Sequence, residues 1–189
     1  MIRKRQRDSR SDEALVDICN HGDGRAAAAA FETLYLRHKD YVLRVAWRFT
    51  PDMDTALDVL QDTFVQLLRR FPPAGEGITL TAKLTTLLYP IAKNTAITAQ
   101  RKAARFPVAA DITPDDMPAA RDRDNGDLHK ALSTLPPGQH EALTLRFVDG
   151  MSLAEIAQAL DIPQGTVKSR LHGGIARLRD SHLLKDFFD

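Results

Sequence analysis

Small and hydrogen-bonding side chains recur along one face of residues 163–179, and Lys168 and Arg170 flank them as cations. The small or polar positions are Gly165, Ser169, His172, Gly173 and Ala176. Such a helical face suits the major groove of DNA, because small residues allow close approach, polar ones reach base edges and cations meet phosphates. An ordinary helical hairpin with a solvated basic face is the alternative.

A short helix is expected just before this face. Ser152 and Glu155 have the spacing of a capping box, which predicts a helix that begins at Leu153. Pro163 fits the first turn of the following helix, where its missing N–H costs nothing. Residues 152–179 therefore predict a helix-turn-helix. The second helix is expected to pack inward through Val167, Leu171 and Leu178.

Two more polar surfaces fall on helices predicted in the first half of the chain. The helix 53–71 carries a patch of acids and an amide, formed by Asp58, Gln61 and Asp62. Periodicity alone does not distinguish a binding patch from a solvated helix face. The helix 80–105 has a polar and basic side, which suits contacts with nucleic-acid backbone and base edges. Its members are Lys93, Asn94, Thr98, Arg101 and Lys102.

The elements that must position these residues are all helical. Hydrophobic periodicity predicts helices at about 12–20, 25–49, 53–71 and 80–105. The proline at position 90 is expected to kink or split the last of them near Tyr89. The predicted core positions of the helix 53–71 are Ala56, Leu57, Leu60, Phe64, Leu67 and Leu68.

The predicted fold class is all-α, with two small helical domains joined by a flexible acidic linker. Residues 1–106 form the first domain with a basic N-terminal tail, 107–127 the linker, and 128–189 the second domain. The linker holds six aspartates against two arginines, a net charge of −4. In the second domain 136–138 are expected to turn ahead of a helix at 141–148. The apolar tail 182–189 is expected to cover the core of that domain, or else to dock on a partner.

Composition excludes several classes of protein. The chain has 189 residues, 43% hydrophobic and 27% charged, as in a folded globular protein. No apolar run approaches the roughly 18 residues that span a membrane, and no apolar segment follows the basic N-terminus, so a secretory signal is not expected. Cys19 is the only cysteine, which allows no internal disulfide and favours a reducing cytoplasm. It is near His21, but without a second such pair a metal site is not expected. No cofactor motif or catalytic cluster is apparent.

The net charge of +1 hides strong segregation. Residues 93–105 and 164–179 each hold four Lys or Arg and no acid. Two basic surfaces separated by an acidic connector suggest two modules that bind one polyanion. Solvated helix faces that happen to be basic are the alternative.

Taken together, these blocks resemble a bacterial RNA polymerase sigma factor of the extracytoplasmic-function class, group 4 of the sigma-70 superfamily. The second domain is similar to sigma region 4 through LPPGQHEALTLRFVDGMSLAEIAQALDIPQGTVKSRLH. The first is similar to region 2 through FETLYLRHKDYVLRVAWRF, ALDVLQDTFVQLLRRF and LYPIAKNTAITAQRKAAR. The resemblance implies a transcription initiation factor, not an enzyme, that binds core RNA polymerase, directs it to promoter −10 and −35 elements and assists melting.

The resemblance also assigns roles to the candidate residues. It places Asp58, Gln61 and Asp62 where region 2 grips the β′ clamp of the polymerase. A second polymerase contact is implied at the β flap, and an anti-sigma factor is implied as a further partner. The −10-reading set is Lys93, Asn94, Thr98, Arg101 and Lys102. The −35-reading set is Thr166, Lys168, Ser169, Arg170 and His172.

The chain departs from the family pattern at three points. The family usually has a tryptophan near Leu87 and an arginine at Pro90. After His172 it usually has a basic residue, where this chain has Gly173 and Gly174. Two glycines should loosen the recognition helix by roughly 2 kcal/mol relative to alanines.

These departures keep two other readings open. A sigma-like interaction module would bind an anti-sigma factor without reading DNA, and both Pro90 and the glycine pair favour it. A helix-turn-helix regulator would bind a palindromic operator as a dimer without polymerase, but it leaves the acidic patch of the first domain unexplained.

Overall fold

The computed structural model describes residues 8–105, 132 and 134–180, and all the regular structure in this part of the chain is helical. The chain forms two compact units that divide between positions 110 and 111. The expected linker and the expected apolar tail lie outside the described residues, as do both predicted domain boundaries. The all-α, two-unit architecture is confirmed.

Between residues 8 and 105 the first unit has four helices: α1 (Asp12–His21), α2 (Gly24–Trp47), α3 (Met53–Leu68) and α4 (Leu84–Arg105). Helix α2 packs against each of the other three, and α3 packs against α4. The first three helices begin at oxygen-bearing caps that accept a backbone N–H of the first turn. The caps are Ser11, Asp23 and Asp52.

The core of the first unit is formed by aliphatic side chains and one group of aromatic rings. Leu15, Leu34, Leu67 and Leu84 are completely buried. The Phe64 ring meets the rings of two α2 residues edge-on, and the Phe31 ring also meets that of Phe71. This packing fixes α3 on α2, and thereby fixes which face of α3 is left outward.

Two sets of hydrogen bonds hold the first helix in place. The Asn20 amide donates to Ile78 O at 2.8 Å and accepts from Ile78 N at 2.9 Å, which ties the end of α1 to the loop before α4. Asp12 accepts from Arg37 at 2.5 Å and lies 2.7 Å from Nε2 of the buried His38. Burial opposes ionisation of the Asp12 carboxyl, but His38 and Arg37 outweigh it and hold its pKa below the ordinary value.

The second unit contains α5 (Pro137–Leu143), α6 (Leu153–Leu160) and α7 (Gln164–Asp180). A π-helical turn, Thr144–Val148, continues α5. The predicted capping box is confirmed, because Ser152 Oγ accepts from Glu155 N and Glu155 Oε2 accepts from Ser152 N. Helix α7 packs against both α5 and α6, with Val167, Leu171 and Leu178 buried as predicted.

Several predicted details are wrong in the first unit. Helix α3 ends at Leu68 rather than Phe71. Leu57 and Leu68, predicted as core, are 39% and 50% exposed, whereas Val59 is buried in their place. Helix α4 begins at Leu84 rather than position 80, and Pro90 does not split it, so a kink near Tyr89, the other predicted effect of this proline, stays a prediction. The reason is tertiary: α4 packs on both α2 and α3, which holds the helix together across one missing hydrogen bond.

Two predicted details of the second unit are also wrong. Pro137 and Gly138 form the first turn of α5 rather than a turn before it, because a proline is well suited to the first helical position. Helix α7 begins at Gln164, so Pro163 precedes it and its carbonyl accepts the first helical hydrogen bonds, from Thr166 N and Val167 N.

Candidate nucleic-acid and protein interfaces

Helix α3 presents three different faces. Its buried face carries Ala56, Val59, Leu60, Thr63, Phe64 and Leu67. A second face, through Asp58 and Asp62, lines a groove against α4. A third face points outward, where Gln61 lies on the same helical row as the exposed Leu57, Val65 and Leu68. The three residues predicted to bind polymerase are all exposed, but they lie on two adjacent faces.

The groove between α3 and α4 brings two of the predicted sets together. It has a volume of about 670 Å³, and Asp58 and Asp62 form part of its α3 wall. The α4 wall includes Asn94, Thr98 and Lys102, all predicted to contact the −10 element. From the sequence, the acidic patch and the basic face were predicted as separate surfaces. In the structure they line the same groove.

Hydrogen bonds within α4 and between the two helices shape this groove. Gln66 Nε2 donates to Thr95 Oγ1 at 2.8 Å across the helix pair, and Thr95 Oγ1 donates to Ile91 O at 2.8 Å. Thr98 Oγ1 donates to Asn94 O at 2.8 Å. Sequence reasoning missed Gln66 and Thr95. The signals that could have placed them on the groove were the spacing of Gln66 four residues after Asp62 and of Thr95 three residues before Thr98.

The other two members of the predicted −10 set lie outside the groove lining. Arg101 is exposed. Lys93 is half-buried, and its ammonium lies 5.9 Å from the centroid of the Phe49 ring. A cation at this distance from an aromatic face is attracted by the ring quadrupole. The structure thus groups Asn94, Thr98 and Lys102 and separates Lys93 from them.

The predicted −35 set is divided in a similar way on α7. Lys168, Ser169 and His172 are exposed, whereas Thr166 and Arg170 are half-buried. Arg170 lies against Gly138 of α5, because an ideal Cβ on Gly138 would be only 3.1 Å from its Cζ atom. The exposed face is therefore narrower than the sequence predicted.

Gly173 was placed on the DNA-facing side, and this prediction is wrong. It is half-buried, and a Cβ on it would lie 2.9 Å from Gln139 Nε2. Gly174 is buried, and a Cβ there would lie 2.7 Å from Leu143 Cδ1. Both glycines face α5 and allow its close approach, while α7 continues through them.

An exposed apolar pair adds a surface that the sequence did not single out. Phe147 and Val148 are 68% and 61% exposed at the end of the π-helical turn. Arg146 Nη1 donates to Met151 O at 2.9 Å, which ties the turn to the start of the helix-turn-helix. Large apolar side chains held outward on a braced turn are typical of a protein-binding surface.

No group of three or more His, Cys, Asp or Glu within residues 8–105 and 134–180 could hold a metal ion. Cys19 is buried, and burial raises the pKa of its thiol. The neighbouring His21 side chain pairs instead with Asp17, at 3.0 Å. Within the same residues no helix is long and apolar enough to cross a membrane.

Both units match known protein-family profiles. Residues 34–106 match Sigma-70 region 2, and residues 125–178 match Sigma-70, region 4. The chain is 32% identical over 169 residues to the ECF RNA polymerase sigma factor SigL of Mycobacterium tuberculosis, covering 84% of this chain and 92% of that one. It is 30% identical over 177 residues to the RNA polymerase sigma-H factor of Pseudomonas aeruginosa, covering 85% and 88%.

Solved structures show the same fold. The sigma factor RpoE of Bartonella quintana, in complex with the anti-sigma factor NepR, gives a TM-score of 0.58 at 25% identity and covers 82% of this chain and 96% of its own. CnrH, in complex with the cytosolic domain of CnrY, gives 0.62 at 24% identity and covers 89% and 95%.

Within the described residues, a four-helix unit that matches region 2 and a helix-turn-helix unit that matches region 4 place the chain in the sigma-70 class of transcription factors. Within it, the chain belongs to the ECF RNA polymerase sigma factors. It is a transcription initiation factor that works with core RNA polymerase on promoter DNA, as the sequence predicted.

Proposed function

We propose that the chain recruits core RNA polymerase through α3 and presents α4 to the −10 element and α7 to the −35 element. One observation carries the proposal: Asp58 and Asp62 share a groove with Asn94, Thr98 and Lys102. A partner bound on α3 would lie beside the DNA-reading face of α4, so polymerase contact and −10 contact would occur at adjoining surfaces. In this proposal the chain performs no catalysis itself and acts in the cytoplasm.

The outward face of α3 supplies the apolar part of the polymerase contact. Leu57, Val65 and Leu68 are exposed around Gln61, and Asp58 and Asp62 follow on the adjacent face. An apolar centre bordered by charges is the usual anatomy of a protein interface. We assign this surface to the β′ clamp, and the exposed pair Phe147 and Val148 to the β flap.

An anti-sigma protein is the proposed regulator. RpoE was solved in complex with the anti-sigma factor NepR, and CnrH in complex with the cytosolic domain of CnrY. A protein that covered the outward face of α3 would compete directly with the polymerase. Helix α4 is unbroken at Pro90 and both glycines of α7 are packed, which weakens the alternative of an interaction module that does not bind DNA.

The test separates the two faces of α3. One variant, Asp58→Asn/Asp62→Asn, removes two charges without changing side-chain size, and another, Gln61→Ala/Val65→Ala, trims the outward row. Glu13→Gln/Asp40→Asn, which neutralises exposed acids on α1 and α2, is the matched control. Core polymerase capture and promoter-dependent transcription are measured for each.

Both α3 variants should capture polymerase at least about tenfold more weakly, since hot-spot groups near the centre of an interface cost about 2 kcal/mol or more when they are removed. The control should behave as the wild type. If all three variants bound polymerase as tightly as the wild type, α3 would not be part of the interface. Absence of any transcript from the wild type would contradict the proposal as a whole.

A further inference from the structure

The helix with the −35 candidates meets α5 at three glycines. Gly173 and Gly174 of α7 lie under Gln139 and Leu143. An ideal Cβ on Gly173 would be 2.9 Å from Gln139 Nε2, and one on Gly174 would be 2.7 Å from Leu143 Cδ1. In the reverse direction, Gly138 of α5 lies under a side chain of α7. The two helices therefore approach each other closely at these glycines, where an added methyl group would require the facing side chain to shift.

Arg170 is the α7 side chain that lies on Gly138. Its Nε and Cζ atoms are 3.1 Å and its Nη1 atom 3.3 Å from the Cβ position of that glycine. Three atoms at nearly equal distances mean that the guanidinium presents its flat face, not an edge, to the α5 backbone. The planar group can make such a contact because it is weakly hydrated and stacks well.

Helical geometry separates Arg170 from the exposed residues. Successive residues turn by about 100° around a helix, so Arg170 projects well away from Ser169 and close to the row of Gly174, four residues later. Gly174 is buried against α5, whereas Lys168, Ser169 and His172 are exposed. Arg170 thus belongs to the flank that faces α5.

We infer that Arg170 is a positioning residue: it sets the seating of α7 on α5 through Gly138, and it does not contact DNA. Lys168, Ser169 and His172 are then the groups left to meet phosphates and bases. This inference rests on the proposed function. It gives α5 an indirect part in −35 recognition, because α5 holds the helix that carries the DNA-contacting residues.

A mutant cycle that pairs Arg170 with Gly138 tests the inference. The holoenzyme is reconstituted with core polymerase, and the probe is a DNA duplex that the wild-type holoenzyme selects from a random-sequence pool. The variants are Arg170→Ala, Gly138→Ala, the double variant, and Lys168→Ala as the phosphate-contact reference. Affinity is measured over a series of salt concentrations, with polymerase capture as the control for folding.

Gly138→Ala removes no charge, yet its methyl group should displace the guanidinium. It should weaken DNA binding about fivefold, as should Arg170→Ala, and the double variant should be no weaker than either. The slope of log affinity against log salt should stay at the wild-type value in all three. Lys168→Ala should reduce that slope by about 0.9, the effect of one lost phosphate contact. Arg170→Lys should fail to rescue, since an ammonium has no flat face to stack.

A reduced salt slope for Arg170→Ala, with Gly138→Ala silent, would overturn the inference and place the arginine on DNA. Urea unfolding of the free chain provides a readout that needs no polymerase, and there the same two substitutions should again be non-additive. The two substitutions could be non-additive in the free chain while the wild-type holoenzyme selects no DNA. That result would count against the proposed function but would support the contact between Arg170 and Gly138. Additive effects in the free chain would remove the contact itself.

Discussion

The half-buried carboxylate of Asp12 joins α1 to α2. Asp12 pairs with His38 and Arg37, and its pKa is held below the ordinary value. Asp12→Asn should lower the free energy of unfolding by about 2 kcal/mol at neutral pH, the usual worth of hydrogen bonds to a charged group. The exposed pair of Asp17 and His21 offers a matched control, and Asp17→Asn should change little.

The pH dependence of this effect has a defined sign. A carboxyl whose folded pKa is depressed adds stability above its unfolded pKa, near 4, and loses it as the pH falls through the folded value. The stability gap between wild type and Asp12→Asn should therefore be full above about pH 5 and shrink on acidification below about pH 4. Urea unfolding across this range measures the gap, and a constant gap would show that the pairing does not depend on the Asp12 charge.

At the scale of the element, α7 contains glycines of opposite character. A Cβ on Gly165 would meet nothing within 4 Å, whereas one on Gly174 would meet the buried Leu143 at 2.7 Å. Gly165→Ala should stabilise the fold by up to about 1 kcal/mol, because alanine is the better helix former. Gly174→Ala should destabilise it by about 1 kcal/mol through overpacking. The thermal unfolding midpoints of the two variants measure these effects. Stabilisation by both substitutions would show that α5 and α7 can move apart at little cost in free energy.

Helix α4 carries its own defect. Pro90 lies inside the helix and has no N–H to donate to the Thr86 carbonyl, while the Thr86 hydroxyl is buried without a partner among the described residues. Pro90→Ala restores the donor and should raise the free energy of unfolding by about 1–3 kcal/mol. Denaturant unfolding measures it. A destabilised variant would indicate that the ring fills space in the core that a methyl group leaves empty.

At the scale of the whole molecule, two DNA-reading units lie on one chain. Each is expected to bind weakly alone, and the tether raises the effective concentration of one at the promoter once the other is bound. A protease site inserted within residues 107–127 tests this. Cleavage before mixing with core polymerase should lower promoter affinity by about a hundredfold or more. The uncleaved insertion variant is the control, and equal transcription from both would show that the polymerase alone aligns the units.

Much of this protein follows from local sequence signals. The capping box at Ser152, the buried row of Val167, Leu171 and Leu178, and the helical content of both units depend on interactions within a few residues of each other. Such interactions are readable from spacing. Family membership follows from the same blocks, because their order along the chain is itself a sequence property.

Only the tertiary structure decided which face of each helix meets which neighbour. Leu57 and Leu68 fit a core row by period, yet the packing of α3 on α2 through Phe64 leaves them outside. The shared groove of Asp62 and Lys102, and the contact of Arg170 with Gly138, join residues more than 30 positions apart. The physical reason is that periodicity shows which residues of one helix share a face. How two helices cross depends on the shapes of side chains from distant parts of the sequence, which meet only when the chain folds.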